Sequence, residues 1–339
     1  MNILALFITI AFVYLVSKFF KKKNYLKSLS GDMHQKFTTN ESIPLIGGFF
    51  ILIFFLIFSY NNSIFFIISI ILMFNLGLLS DLKKIISAKK RMLFQWMIVL
   101  FSVFYLKLEI SSTKIFILDQ LLNNEIINII FVSFCIMILV NGTNFIDGLN
   151  GLSLGYYLMI VIALLNNDIL ISNFLSSNQL IYLSIFLFIL LVFNYLNLFF
   201  IGDNGAYILG LTMSFLLINI YKENSDISPF YIALLLWYPC FELLFSIIRK
   251  FNLKFSPTKP DTYHLHQLTY YLIKNKFHLK KFKSNNISSL LILLFNSIPI
   301  YLGSINIYNN QNQILLIIFN ILFYMTVYNL LLKYKNKIN

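Results

Sequence analysis

Long apolar runs separated by short polar stretches carry the chain from one end to the other. The runs are continuous rather than alternating, and a stretch of about twenty such residues is the length that crosses a bilayer as a helix. They lie near 2–20, 44–60, 63–80, 93–108, 126–141, 152–166, 179–200, 206–221, 228–248, 287–303 and 313–332, and predict about eleven helices of roughly membrane length. The segments 152–166 and 206–221 are short and follow Gly-rich polar turns. Irregular backbone of that kind is tolerated at membrane depth where it lines a polar cavity. The first run lacks a basic start and a small-residue cleavage site, and Lys21, Lys22 and Lys23 follow it, so it reads as a span rather than a cleavable signal. No internal repeat and no Gly/Ser- or Pro-rich linker interrupts the pattern. The expected fold is an all-α, polytopic integral membrane protein of one domain, 1–339.

Composition agrees and narrows the function. Only 12% of the 339 residues are charged while 59% are hydrophobic, and the mean hydropathy is +0.79. A soluble domain carries about 25% charged residues, so an ordinary soluble enzyme, a disordered chain and a nucleic-acid-binding domain are excluded. The net charge of +13 is then read by position. With the N-terminus outside and alternation from there, Lys18–Lys36, Lys83–Arg91, Arg249–Lys283 and Lys333–Lys337 fall on the cytoplasmic side and hold 23 of the 26 basic residues. Lys107, Lys114 and Lys222 are the exceptions. This bias is the positive-inside pattern. Cys135 and Cys240 sit in separate apolar runs and read as packing residues, without disulfide or zinc spacing.

Acidic groups are costly at membrane depth, which makes those at span ends functional candidates. Asp81, Asp147, Asp203 and Asp261 all emerge on the basic side, from four separate polar stretches. Carboxylates, amides and lysines without clustered cysteine suit Mg²⁺ and phosphate, because Mg²⁺ takes hard oxygen ligands. Lys and Arg neutralise phosphate charge, and Gly turns let backbone approach it. Zinc hydrolysis fits less well, since His264 and His266 are two apart and no HExxH helix is present.

Five motifs in order carry a family resemblance. Pro44-Leu-Ile-Gly47-Gly48 resembles P-x-x-G-G, and Gly77-Leu-Leu-Ser80-Asp81-Leu-Lys83 resembles G-x-x-D-D-x-x. The stretch Asn141 to Gly151 resembles N-x-x-N-x-x-D-G-x-D-G, Ile201 to Gly205 resembles F-x-G-D-x-G-S, and Asp261 to Gln267 resembles D-x-x-H-x-H-H. Together they resemble the bacterial polyprenyl-phosphate N-acetylhexosamine-1-phosphate transferases, which include phospho-MurNAc-pentapeptide translocase. The resemblance implies attack of a lipid phosphate oxygen on the β-phosphate of a UDP-N-acetylhexosamine, with UMP leaving and a lipid-linked glycan initiated. His264-Leu-His266 looks more like the glycan-initiating branch than the translocase branch. The implied partners are a polyprenyl (undecaprenyl) phosphate, the UDP-sugar and the bacterial cytoplasmic membrane, with no nucleic acid and room for a homodimer. The implied cofactor is Mg²⁺, with Mn²⁺ as its substitute.

On this reading Asp203, in a Gly-bounded turn, is a metal ligand, and Asn144 shares the metal. The alternative for Asp203 is a turn residue or helix cap. Asp147 positions the nucleotide-sugar or its metal, against the alternative of a cap for 152–166. Asp81 holds substrate or assists deprotonation of the lipid phosphate, against an i,i+3 pairing with Lys84. Lys89 and Arg91 are phosphate cations, and Lys36 is a first-loop basic position. Gly47, Gly48 and Ser80 complete the substrate-binding set. His264 and His266 grip phosphate or sugar from a loop, and the stretch through Leu268, Leu272, Phe277 and Lys281 lies in the headgroup plane. Four positions depart from the family pattern: Ser80 for Asp, Asn150 for Asp, Ala206 for Ser and Gln267 for His. Ser80 removes a charge and a candidate base, which keeps an inactive homologue open as a reading. A transporter or flippase is the rival class, although its polar groups would gather near the bilayer centre.

Overall fold

The computed structural model describes residues 3–26, 43–58, 63–167, 174–254 and 261–338. Lys36 lies outside them. The first half of the chain runs α1 (Ile3–Lys23), α2 (Gly47–Phe58), α3 (Ile64–Asp81), α4 (Ala88–Leu106), α5 (Phe116–Leu122), α6 (Glu125–Ile146) and α7 (Leu152–Leu165). The second half runs α8 (Ser177–Tyr195), α9 (Gly202–Glu223), α10 (Pro229–Leu235), α11 (Trp237–Asn252), α12 (Leu265–Phe277), α13 (Lys281–Ile305) and α14 (Asn310–Ile338). Among the described residues the only β pairing is a parallel bridge between Leu45 and Phe200. The protein is an all-α membrane protein.

Every apolar run falls on a helix, with 228–248 shared by α10 and α11. Among the described residues six helices are long and apolar enough to cross a membrane, or seven if the α10–α11 pair, bent by 74°, is one span. This falls short of the expected eleven. α2 and α7 have 12 and 14 residues, which at 1.5 Å per residue gives about 18 and 21 Å against a hydrocarbon core of about 30 Å. α4 opens on Lys89, Lys90 and Arg91, so its apolar part is shortened as well.

The buried centre is α9, 94% of whose most apolar window is inside the protein. α2, α3 and α6 pack along it. A helix sheathed by others on all sides needs no polar face, and Ala206 through Ile218 are buried without interruption. Small residues set the approach. A Cβ on Gly77 of α3 would stand 2.4 Å from Cα of Asn204, and one on Gly48 of α2 would stand 2.7 Å from the Gly205 nitrogen. Backbone atoms of a packed helix cannot yield by that much. Gly77→Ala should therefore push α3 off α9 at about 3 kcal/mol, the upper end of overpacking costs. A lowered thermal melting point of the purified protein reads this out, and an unchanged one would refute it.

The break between α10 and α11 has a local cause and a distant brace. Pro239 has no amide hydrogen to give the Leu235 carbonyl four residues earlier, and the hydroxyl of buried Tyr156 on α7 donates to that freed carbonyl at 2.9 Å. At one end of the bundle Lys222 pairs with Glu109 at 2.8 Å and donates to the Lys107 carbonyl at 3.1 Å. These belong to the basic residues that stood apart from the charge pattern. Asp203 lies at the opposite end of α9, whose 22 residues span about 33 Å.

Candidate active site

The sequence placed Asp203 in a turn, Asn144 in a loop and His264 and His266 in another loop. The structure corrects all three. Asp203 is in the first turn of α9, Asn144 is in the last turn of α6, and His266 is in the first turn of α12, with His264 as its N-cap. Lys89 and Arg91 likewise sit in the first turn of α4. Helix termini, whose amides and carbonyls lack intrahelical partners, therefore build the site.

The first cluster surrounds Asp203. Its Oδ1 accepts from Asn144 Nδ2 at 2.6 Å, and its Oδ2 accepts from Arg91 Nη1 at 2.9 Å, from the Ser80 hydroxyl, and at 3.4 Å from the Tyr207 hydroxyl. Arg91 Nη1 also donates to Ser80 Oγ at 2.7 Å. Four helices thus meet at one carboxylate. Ser80 acquires a definite place here: it bridges Asp203 and Arg91, where a second carboxylate would stand against Asp203. The ion pair is partly open, with side-chain exposures of 30% for Arg91 and 24% for Asp203, so its partners can exchange with incoming ligands.

Asp81 faces the other way. Its Oδ1 accepts the Asp203 amide at 2.9 Å, and its Oδ2 accepts the Asn204 amide at 3.0 Å and the Asn204 side-chain amide. It caps α9 from the end of α3. Gly202, at φ +74°, makes this possible, because a Cβ there would meet Asp81 Oδ2 at 2.9 Å. A negative charge at a helix N-terminus is favoured by the amide dipoles. Gly47 and Gly48 are likewise taken up by packing, against Ile201 and against Asn204 with Gly205. Asp147 follows α6 and accepts from the Ser153 hydroxyl in the first turn of α7 at 2.8 Å. Lys89 is exposed, and among the described residues no contact ties it to the cluster.

The second cluster gathers on Asp261. Its Oδ2 receives Arg249 Nη2 at 2.8 Å and lies 3.7 Å from Lys250 Nζ, while its Oδ1 is 3.5 Å from His264 Nε2. Burial opposes the charge on Asp261, but His264, Arg249, the Tyr263 amide and Lys250 outweigh it and hold the carboxyl below its ordinary value. The His264 and His266 rings stack with centroids 5.5 Å apart. The Asn141–Gly151 stretch joins the clusters: Phe145 lies edge-on to His264, and a Cβ on Gly148 would run into His266. Arg249 and Glu242 were missed as site residues. Glu242 had a signal, being the single acid inside the apolar run 228–248. Arg249 had none, because one more basic residue in a basic loop is indistinguishable from topology duty.

The donor set fits a hard cation held jointly with substrate. Ser80, Asn144 and Asp203 offer a hydroxyl, an amide and one carboxylate, with no sulfur. Among the described residues no group of three His, Cys, Asp or Glu could hold a metal by itself. Mg²⁺ commonly completes its shell from one or two carboxylates, substrate phosphates and water.

Fold and site together define a polytopic helical membrane protein with carboxylate, amide and guanidinium groups gathered at one end of its bundle. Residues 63–221 match the model of glycosyl transferase family 4. The chain is 33% identical over 132 residues to a probable undecaprenyl-phosphate N-acetylglucosaminyl 1-phosphate transferase of Bacillus subtilis, covering 37% of this chain and 36% of that protein. It is 28% identical over 229 residues to the undecaprenyl-phosphate α-N-acetylglucosaminyl 1-phosphate transferase of Thermotoga maritima, covering 67% and 68%. The matched stretch thus spans about a third of the Bacillus relative and about two thirds of the Thermotoga one. Over these stretches the chain is similar to glycosyl transferase family 4 and to undecaprenyl-phosphate N-acetylglucosaminyl 1-phosphate transferases.

Proposed function

We propose that the protein transfers N-acetylhexosamine-1-phosphate from a UDP-sugar to undecaprenyl phosphate and so initiates a lipid-linked surface glycan. An acceptor phosphate oxygen attacks the β-phosphorus, the bond from that phosphorus to the bridging oxygen breaks, and UMP leaves with the electron pair. The observation that carries this reading is the convergence of α3, α4, α6 and α9 on Asp203, with Arg91 beside it. Such chemistry needs positioning and charge stabilisation more than covalent participation. Asp203 and Asn144 would hold Mg²⁺, which when bound neutralises diphosphate charge. Arg91 would exchange its carboxylate partner for a phosphate oxygen. Arg249, Lys250 and His264 would receive the other anionic end of the substrates. The site would face the cytoplasm, where 23 of the 26 basic residues of the charge pattern fall.

An apolar cavity of about 370 Å³ supports the lipid half of the reading. Ile136, Leu139, Leu217, Ala233 and Leu236 line it, and Cys135 and Cys240, distant in sequence, both open onto it. It runs beside the α10–α11 break, and its chemistry matches an isoprenoid tail. Ala233→Trp should raise the KM for the lipid acceptor and leave that for the UDP-sugar unchanged. Equal changes in both would remove the cavity from the reading.

The deciding assay combines purified protein, Mg²⁺, undecaprenyl phosphate and UDP-GlcNAc or UDP-GalNAc, and follows UMP. Release should stop with excess EDTA and return with added Mg²⁺. No UMP from either sugar, with folded protein, would overturn the transferase proposal and with it the role given to Asp203.

A further inference from the structure

Glu242 is 1% exposed on α11, inside the apolar run from Trp237 to Phe245. Its Oε2 accepts the Tyr324 hydroxyl of α14 at 2.8 Å, and its Oε1 accepts the Leu265 amide at the head of α12 at 3.3 Å. Oε1 also lies 2.9 Å from His264 Nδ1. A carboxylate has no hydrogen to give. With an amide and a phenol already donating to Glu242, the hydrogen in its bond to His264 belongs on Nδ1. Nε2 is then the imidazole nitrogen left for chemistry. It points to the Asp261 side, where Arg249 and Lys250 gather, and its 3.5 Å separation from Asp261 Oδ1 is too long for a good hydrogen bond. Phe145 on one side and the stacked His266 ring on the other restrict rotation of the ring.

We propose that Glu242 is a positioning residue of the transfer reaction, which acts by keeping the His264 proton on Nδ1 and presenting Nε2 to the phosphate groups of the substrates. The inference rests on the transferase reading. It differs from a purely structural role for Glu242 because it specifies a tautomer. A buried acid that merely braced α11 against α14 would do so whichever nitrogen of His264 carried the hydrogen. The arrangement is the general one in which a carboxylate orients a histidine by binding its second nitrogen.

The test uses full-length protein in lipid nanodiscs with isotope-labelled histidine, whose nitrogen resonances report which ring nitrogen is protonated. The chain has 4 histidines, so assignment by single His→Gln variants is tractable. His264 of the wild type should show a hydrogen-bonded Nδ1–H. In Glu242→Met no acceptor faces Nδ1, so the hydrogen-bonded Nδ1–H signature should be lost and kcat should fall by up to about a hundredfold, as for loss of other residues that orient a functional histidine. Glu242→Asp keeps an acceptor and should retain the Nδ1–H signature and lose less rate. Tyr324→Phe removes a different partner of the same carboxylate and should also keep the signature.

A wild-type His264 protonated only on Nε2 overturns the inference, and this reading stands even if Glu242→Met does not fold. So does a Glu242→Met protein that keeps the Nδ1–H signature while losing rate, or one that loses the signature at full rate. In each of these the wild type still releases UMP and the transferase reading survives. A wild type that releases no UMP removes that reading first, and the positioning role with it.

Discussion

Asp203→Asn is expected to lower UMP release by about 10²–10³-fold, the usual cost of removing one preorganised electrostatic group from a reacting centre. The substitution keeps the shape of the side chain and its hydrogen-bonding reach while deleting the charge on which Ser80, Asn144 and Arg91 converge. Stability should change little, because the ion pair is partly exposed and such pairs contribute about 0–1 kcal/mol. The diagnostic result is therefore a split: activity lost, melting temperature kept. Restoration of the rate by high Mg²⁺ would mark the loss as one of metal affinity, as expected where Asp203 holds the metal. An unchanged rate would take Asp203 out of the site.

Asp81→Leu is expected to fail in the opposite way, by loss of the fold at the head of α9. Leucine leaves the backbone amides of Asp203 and Asn204 without the acceptors that they have at 2.9 and 3.0 Å. Each buried donor left unmade costs about 1–3 kcal/mol, and the lost charge at the helix N-terminus adds up to about 2 kcal/mol. Against a total stability of about 5–15 kcal/mol, the variant should give little folded protein. Asp81→Asn retains one accepting oxygen and should melt between the wild type and Asp81→Leu. Thermal melts of the three proteins in one detergent measure this order. Wild-type melting of Asp81→Leu would show that Asp81 does not hold α9, and would return it to a role in the chemistry.

The two outcomes separate residues that looked alike as sequence. Asp81 and Asp203 were both acids at the basic ends of spans, each with Gly nearby, and both were read as site residues. Their neighbours in space distinguish them: Asp81 spends both oxygens on the head of α9, whereas Asp203 faces hydroxyl, amide and guanidinium groups that can change partners. Gly47 and Gly48 were read as phosphate-approach glycines for the same reason, and contact with α9 accounts for them.

Some of what was missed was present locally. Ser87 accepts from the Lys90 amide at 3.5 Å, and the His264 amide donates to Gln267 Oε1 at 3.4 Å. Both are capping patterns that mark helix starts at Ala88 and Leu265 without tertiary information. The start of α9 at Gly202 is different. Gly-Asp-Asn-Gly reads as a turn by local preference, and its cap comes from Asp81, more than a hundred residues away.

The sequence by itself determined the membrane class, the positions of the apolar helices, the clustering of basic residues and the order of the motifs. These follow from properties summed along short windows: a run of apolar residues must leave water wherever the rest of the chain lies, and a lysine-rich stretch resists burial in lipid. Only the tertiary structure decided which acids meet cations and which cap helices, that Ser80 bridges Asp203 and Arg91, and that Glu242 reaches His264. A hydrogen bond forms within about 3 Å, and distance on that scale between residues far apart in sequence is set by helix packing, which no local pattern encodes.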